Sequence, residues 1–174
     1  MRSLWLALLL PVCAAAQSDE TDVGEVAGYA GLAAGIGTHA AVGASFATAL
    51  SRYHLGFLDV AYAPLGSDAL RGPFSGITRS HLYDFNGGVH VRAPVTQRFA
   101  PYLVVAAGLL HSRFSARLPE RISLEDSDND FAFHAGVGAR YYITDKWGVR
   151  PEYRYSVTER NFSRFVVGVF YQFP

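Results

Sequence analysis

The sequence predicts an all-β protein in which eight antiparallel strands form an up-and-down barrel that crosses a membrane. First, apolar and polar side chains alternate along Gly148 to Phe173, as they do in strands with one apolar and one polar face. Second, short and long connections alternate along the chain. Third, aromatic residues concentrate near the predicted strand ends. A soluble sheet would bury its apolar face, whereas a membrane barrel turns that face outward and keeps charges in its lumen.

The N-terminus, MRSLWLALLLPVCAAA, is typical of a secretory signal peptide, because an apolar run is followed by small residues. We expect cleavage after Ala16, a short tail over residues 17–23 and a barrel domain over residues 24–174. Cys13 is the only cysteine. We interpret it as an ordinary signal residue and not as a lipid anchor, because Val12 is larger than the residue that precedes a lipoprotein cysteine.

Composition restricts the possible classes of protein. Cleavage would leave 158 of the 174 residues, with 15 acidic and 14 basic side chains and no cysteine. We therefore expect one domain without disulfides, and no attraction to nucleic acid. No later stretch approaches 18 consecutive apolar residues, so the chain would have to cross a membrane as closed β-structure.

Eight segments have about the 9 to 11 residues that a tilted membrane strand needs. The first six are approximately Gly24–Ala34, His39–Leu50, Tyr53–Ala63, Ser80–Arg92, Phe99–Ser112 and Phe131–Ile143, and two more lie within Gly148–Phe173. The fifth is apolar on both faces. On that strand we predict a lipid-facing set of Pro101, Leu103, Val105, Ala107 and Leu109.

The predicted connections alternate in length. The short ones are Leu50–Arg52, Ala93–Arg98 and Thr144–Trp147; the others are Gly35–Thr38, Pro64–Arg79, Arg113–Asp130 and Thr158–Asn161, of which the middle two are long and polar. Short periplasmic turns and longer external loops are typical of outer-membrane barrels. With an even strand count, both termini lie on the periplasmic side.

The aromatic residues form two sets, as expected for girdles at two membrane interfaces. Phe99, Tyr141, Trp147, Tyr171 and Phe173 lie toward the short turns, and Tyr62, Tyr83, Phe131, Phe133 and Tyr155 toward the long connections. The alternative is a soluble exported β-sandwich with cross-strand aromatic pairs, which would partition into buffer without detergent.

Two segments carry a resemblance to a known family. GVGARYYITDKWGVRPEYRYS, residues 136–156, and the terminal FVVGVFYQF resemble the small eight-stranded outer-membrane β-barrels, the group that contains the membrane domain of outer membrane protein A and opacity-type porins and adhesins. The resemblance implies a bacterial outer-membrane location. It also implies that Val169, Tyr171 and Phe173 form the C-terminal signal read by the barrel assembly machinery, although Pro174 follows here where the family ends on the aromatic residue.

The lumen is the first place where a functional site is expected, because eight strands enclose a space that side chains just fill. The strand alternation points acids and arginines inward in nearly equal numbers: Glu25, Asp59, Asp84, Glu152, Arg92, Arg140, Arg150, Arg154 and Arg164. We interpret them as a structural network of ion pairs, with a narrow gated ion path as the alternative. Gly43, Gly88, Gly136 and Gly138 would make room for the arginines.

Enzymatic and metal sites find little support. Some outer-membrane barrels act on lipid A, but the adjacent His111 and Ser112 face opposite sides of a strand, and no serine follows His134 closely. The spacing of Asp126, Asp128 and Asp130 begins like a calcium loop but lacks its glycine and its last glutamate. We predict no enzyme, cofactor or metal site.

The predicted function is therefore a structural or adhesion-type role carried by external loops 64–79 and 113–130, with a narrow porin-like channel as the alternative. The expected partners are outer-membrane lipid and lipopolysaccharide, the barrel assembly machinery and a surface ligand of the two loops. We expect a monomer.

Overall fold

Eight strands form a closed antiparallel barrel in the computed structural model, and each strand is hydrogen-bonded to its neighbours in chain order. The strands are β1 (Gly24–Ala34), β2 (Thr38–Ala49), β3 (His54–Leu70), β4 (Gly76–Arg92), β5 (Phe99–Arg117), β6 (Ser123–Tyr142), β7 (Trp147–Val157) and β8 (Phe162–Phe173). The barrel closes where β1 pairs with β8, with Gly24 opposite Phe173. The predicted fold class is confirmed.

The structure describes residues 24–35, 38–70, 76–93, 95–117, 123–159 and 161–174, with side chains described except at 66–70, 76–79, 116–117 and 123–125. The predicted signal peptide and the tail lie outside these ranges. Within the described part of the chain, no helix is long and apolar enough to cross a membrane.

The apolar faces of the strands point away from the barrel interior. On β8, half of the surface of Val167 and Val169 is exposed, whereas Val166 and Arg164 on the opposite face are buried. On β5, Leu103, Val105 and Leu109 are exposed, and the even-numbered side chains between them face inward. The predicted lipid-facing set on β5 is therefore confirmed.

Four strands are longer than predicted. The strands β3 and β4 have 17 residues each, β5 has 19 and β6 has 20, so much of the two predicted loops is paired strand. Within loop 64–79, β3 continues to Leu70 and β4 begins at Gly76, and the described residues of loop 113–130, which are 113–117 and 123–130, are all β-structure. Residues 63–70, 76–82, 112–117 and 123–132 are called the projecting sheet below.

The loop prediction was wrong because it relied on alternating polarity. Outside the hydrocarbon both faces of a strand meet water, so the alternation ends although backbone pairing continues. Ser115 still pairs with Arg79 on one side and Glu125 on the other. On β3, one extra residue enters between Pro64 and Ser67, which is a bulge just after a residue that lacks an N–H group.

Because the apolar faces point outward, a charged residue placed on the outer surface should destabilise the barrel most near the middle of the membrane. Val105 lies midway along the outward face of β5, and Val105→Arg should lower the free energy of unfolding by about 2–4 kcal/mol. Asn129→Arg, exposed on the projecting sheet, should change it by less than about 1 kcal/mol. Urea unfolding in lipid vesicles, followed by tryptophan fluorescence, measures both. Equal effects of the two substitutions would contradict the assigned faces.

Candidate functional site

The lumen near the short turns contains a cluster centred on one carboxylate, Glu25 of β1. Arg140 binds it with two hydrogen bonds, from Nε to Oε2 at 3.2 Å and from Nη2 to Oε1 at 3.0 Å. Arg150 Nη1 donates to Oε1 at 3.2 Å, and Gln172 Nε2 donates to Oε2 at 3.2 Å. The lower cluster is defined as Glu25, Arg140, Arg150 and Gln172. It connects β1, β6, β7 and β8 across the lumen.

A second cluster lies further along the barrel, on β3, β4, β7 and β8. Asp59 Oδ1 is 3.2 Å from Arg154 Nη1 and 3.1 Å from Arg164 Nη2, and Asp84 Oδ2 is 3.5 Å from Arg164 Nη1. Asn86 connects the two acids, because its Nδ2 donates to Asp59 at 3.1 Å and to Asp84 at 3.0 Å. These five residues are called the upper cluster.

Glu152 joins the two clusters. Its Oε1 accepts a hydrogen bond from Arg154 Nε at 2.6 Å, and its Oε2 accepts one from the Tyr102 hydroxyl at 2.8 Å. The guanidinium of Arg140 lies 4.5 Å from the centre of the Tyr102 ring. Since Arg140 Nη2 also donates to Nδ1 of His90 at 2.9 Å, that ring carries its hydrogen on Nε2.

Charge is balanced within this network. Four arginines face four carboxylates, and each of the eight is at most 4 % exposed. Buried ions are tolerated only when they are paired and hydrogen-bonded, and the guanidinium fork suits bidentate contact with carboxylates. The strand alternation therefore places eight of the nine predicted lumen residues together.

Arg92, the ninth, lies apart. It is half-buried at the mouth near the short turns, where its Nη2 donates to the carbonyl of Arg52 at 3.1 Å. Arg92 lines a cavity of about 650 Å³ there, together with Arg52, Arg98, Tyr142 and Gln172. It is the last inward residue of β4, and Gln172 of the lower cluster lines the same cavity.

The glycines only partly follow the prediction. A side chain at Gly136 would overlap the carbonyl of Tyr153 and also meet Arg154, whereas one at Gly138 would overlap the ring of Tyr102, and one at Gly43 would overlap Tyr29. Gly88 faces the backbone of the neighbouring strand at Ala106. The glycines at 43 and 138 therefore make room for tyrosines, one of which positions Glu152.

An apolar layer, which was not predicted, closes the lumen above the upper cluster. Its members are Ala33, Ala41, Ala63, Leu82, Leu110, Ala132 and Phe162. Between this layer and Asp84 and Arg164 there is a cavity of only about 10 Å³. The sequence contains a sign of this layer, because the strand alternation places Leu82, Leu110 and Phe162 on the same inward face as the charged residues.

Beyond the apolar layer the lumen opens into a vestibule of about 750 Å³. Leu65 and Phe114 line it together with the acidic row of β6, which consists of Asp126, Asp128 and Asp130. Among the residues that the structure describes, no group of three or more histidine, cysteine or acidic side chains could hold a metal ion.

A serine, a histidine and an acid come together in the upper lumen. Ser156 Oγ is 2.8 Å from His134 Nδ1, whose Nε2 is 3.5 Å from Asp84 Oδ1. This resembles a nucleophile, base and acid, and it arises because β6 and β7 pair His134 with Ser156. The spacing of serines and histidines along the chain does not reveal this arrangement, because His134 and Ser156 lie on different strands. Ser156 is 1 % exposed and lies beneath the apolar layer.

The predicted C-terminal signal lies on the outer face of β8. Val169 is exposed, Tyr171 and Phe173 are half-buried, and Tyr171 contacts Trp147 with ring centres 4.8 Å apart. Their proposed recognition before insertion concerns another state of the chain and stays a prediction.

A closed eight-stranded barrel with aliphatic and aromatic side chains outside and paired charges inside defines a bacterial outer-membrane β-barrel protein. Residues 4–173 match a family described as outer membrane protein beta-barrel domain. The chain belongs to this family, which implies a bacterial outer-membrane location.

Solved structures show the same fold. Ail, the attachment invasion locus protein of Yersinia pestis, is 15% identical with a TM-score of 0.65, and a second structure of it contains the heparin analogue sucrose octasulfate (TM-score 0.63). Neisserial surface protein A is 15% identical (TM-score 0.61), and a major outer membrane protein from Thermus thermophilus is 11% identical (TM-score 0.67). Each alignment covers 89% of this chain and 100% of the other. A search of curated proteins gave no match.

The lower cluster predicts a large cost of removing one carboxylate. Glu25→Gln keeps the shape of the side chain but leaves Arg140 and Arg150 without their shared acid, so the free energy of unfolding should fall by about 3–5 kcal/mol. Gln172→Ala, which removes a neutral partner of the same carboxylate, should cost about 1 kcal/mol. Urea unfolding in vesicles compares the two. A Glu25→Gln barrel as stable as Gln172→Ala would show that the pairs contribute little.

Proposed function

We propose that the protein is a surface-interaction protein of adhesion type, that its barrel is a structural support with a lumen closed by ion pairs, and that it has no catalytic site. The projecting sheet is the observation that carries the proposal. Four strands extend well past the membrane-spanning length, while β1, β2, β7 and β8 keep 11 or 12 residues each.

The projecting sheet offers unpaired backbone at both of its sides. Pairing of β6 with β7 begins at Phe133, and pairing of β3 with β2 begins at Tyr62. Among the described strands, residues 123–132 of β6 therefore pair with β5 alone, and residues 63–70 of β3 with β4 alone. An open strand edge is a template for an added extended segment, whose main chain supplies affinity while its side chains supply specificity.

The inner surface of this sheet indicates the partner's chemistry. The carboxylates of Asp126, Asp128 and Asp130 lie beside Leu65 and Phe114 in the vestibule. An extended peptide with alternating basic and apolar side chains complements this surface in charge, because its basic side chains all lie on one face and can point into the vestibule. Ail was solved with a polyanion analogue, whereas this acidic vestibule favours a cation, so we do not transfer that ligand.

The closed lumen supports a structural role for the barrel over a channel. An ion crossing it would have to pass the apolar layer and separate paired charges in two clusters. Ser156 is shielded by the same layer, which argues against hydrolysis. The remaining proposals are export by a cleaved signal peptide, insertion by the barrel assembly machinery through Val169, Tyr171 and Phe173, and a monomeric state.

The surface role predicts charge-selective peptide binding. Protein in lipid nanodiscs should bind extended peptides in which lysine and valine alternate more tightly than peptides in which glutamate and valine alternate. Changing Asp126, Asp128 and Asp130 together to asparagine should weaken that binding about tenfold, since three exposed ion pairs are lost. Surface plasmon resonance measures the affinities. Asp145→Asn, at the opposite mouth, is the matched control. An absence of preference for the basic peptides would contradict the proposed partner.

The closed lumen predicts electrical silence. Purified protein in planar bilayers should add no conductance steps to those of the lipid alone, because the charged and apolar layers leave no continuous water path. Slower migration after boiling in detergent gels shows that the same sample is folded. Conductance steps that disappear in Phe162→Trp, which fills the apolar layer further, would favour the narrow channel instead.

A further inference from the structure

The outer face of β3 to β6 changes in composition over three successive rows of paired residues. The lowest row is apolar and exposed, and consists of Val60, Phe85, Leu109 and Phe131. The middle row consists of Tyr62, Tyr83, His111 and Asn129, and the next of Pro64, His81, Arg113 and Ser127. From the lowest row to the highest, the side chains change from apolar to aromatic to basic, which matches the order of hydrocarbon, interface and headgroup region in a membrane.

Four ring side chains of the upper two rows form a series of contacts. The Tyr62 hydroxyl lies 2.7 Å from His81 Nδ1, the Tyr62 and Tyr83 ring centres are 5.1 Å apart, and Tyr83 and His111 are 6.2 Å apart. Arg113 is exposed directly opposite His81. We name Tyr62, His81, Tyr83, His111 and Arg113 the outer patch.

The contact between Tyr62 and His81 is compatible with His81 as a donor. If the Tyr62 hydroxyl donates to Nδ1, the ring carries its hydrogen on Nε2, which can donate to an oxyanion. Arg113 adds a guanidinium that binds phosphate oxygens in a bidentate manner. The tyrosine rings next to them offer flat apolar faces with polar edges.

The two faces of the projecting sheet carry different charged side chains next to the membrane. Asp126, Asp128 and Asp130 of β6 line the vestibule, whereas His81 and Arg113 lie opposite each other on the outer face. At the same height, the outward strand side chains on the other half of the barrel are uncharged: Leu32, Ala34, Thr38, Ala40, Val42, Tyr155, Val157, Ser163 and Phe165. The outer patch is therefore confined to one sector of the barrel.

We infer that the outer patch binds a phosphorylated glycolipid of the outer leaflet. Its acyl chains would lie on the row that contains Val60 and Phe85, its sugar rings against the tyrosines, and its phosphate on His81 and Arg113. Continuity with the hydrocarbon-facing row identifies a membrane lipid as the occupant, and the basic side chains identify its phosphate. This inference is independent of the proposed peptide surface, which lies on the opposite face.

Competition between two lipids tests the inference. Bisphosphorylated lipid A and the same lipid A after enzymatic dephosphorylation are mixed in equal amounts with detergent-purified protein, and native mass spectrometry counts each bound form. The wild type should retain the phosphorylated form about tenfold more often, and Arg113→Ala with His81→Ala should reduce that preference to near one, as expected for lost charge-assisted hydrogen bonds.

Two controls separate a local site from general attraction. Arg52→Ala removes one positive charge at the opposite mouth, and Tyr155→Ala removes an exposed aromatic residue from the other sector, so both should keep the wild-type preference. Heat-modifiable migration confirms that each variant is folded. A wild type without preference would overturn the inference, as would a loss in Arg52→Ala equal to that in Arg113→Ala. The asparagine variant of the acidic row should keep the lipid preference, so failure of the peptide proposal would be seen separately.

Discussion

Satisfaction of backbone hydrogen bonds in hydrocarbon is the constraint on which the rest of this structure depends. No water is available there, so each N–H and C=O group must pair within the protein, and a sheet can meet that condition only by closing. Pairing of Gly24 with Phe173 provides the closure. Eight strands then enclose a space that their own inward side chains fill, so the lumen becomes a core in which every inward residue must find a partner.

The content of that core follows from the reversal of polarity. The aliphatic side chains contact lipid on the outside of the barrel, so the charged side chains must lie inside it. The strand β7 supplies three charged residues in succession on its inward face, Arg150, Glu152 and Arg154, and the last two are in direct contact. Carboxylates from β1, β3 and β4 complete the pairs from across the barrel. The network thus couples strands that are far apart in the chain, and its disruption would be felt by the whole barrel.

Alternation of side-chain polarity was sufficient to predict the closed barrel, the face of each strand and the inward orientation of the nine charged residues, of which eight form the ion-pair network. It was insufficient where both faces meet the same solvent, so β3 to β6 continue beyond their predicted ends. The ion-pair partners across the lumen could not be predicted either. The alternation along a strand shows which face a residue lies on, but not its position along the barrel axis. Arg92 and Arg140 both point inward, yet only Arg140 reaches Glu25. His134 and Ser156 are 22 residues apart in the chain, and only the β6–β7 register brings them together.

One strand shows how height along the barrel is encoded. From the short turn outward, the inward residues of β6 run from Arg140 in the lower cluster through His134 to Ala132 in the apolar layer, and then to Asp130 and Asp126 in the vestibule. Paired charged residues, an apolar residue that closes the lumen and exposed acids thus follow one another along the inward face of β6, at every second position. A slip of one residue would turn this whole series toward lipid and bring the aromatic residues Phe131 and Phe133 into the lumen. The lumen contacts therefore fix the register of β6, and with it the position of the acidic row above the membrane.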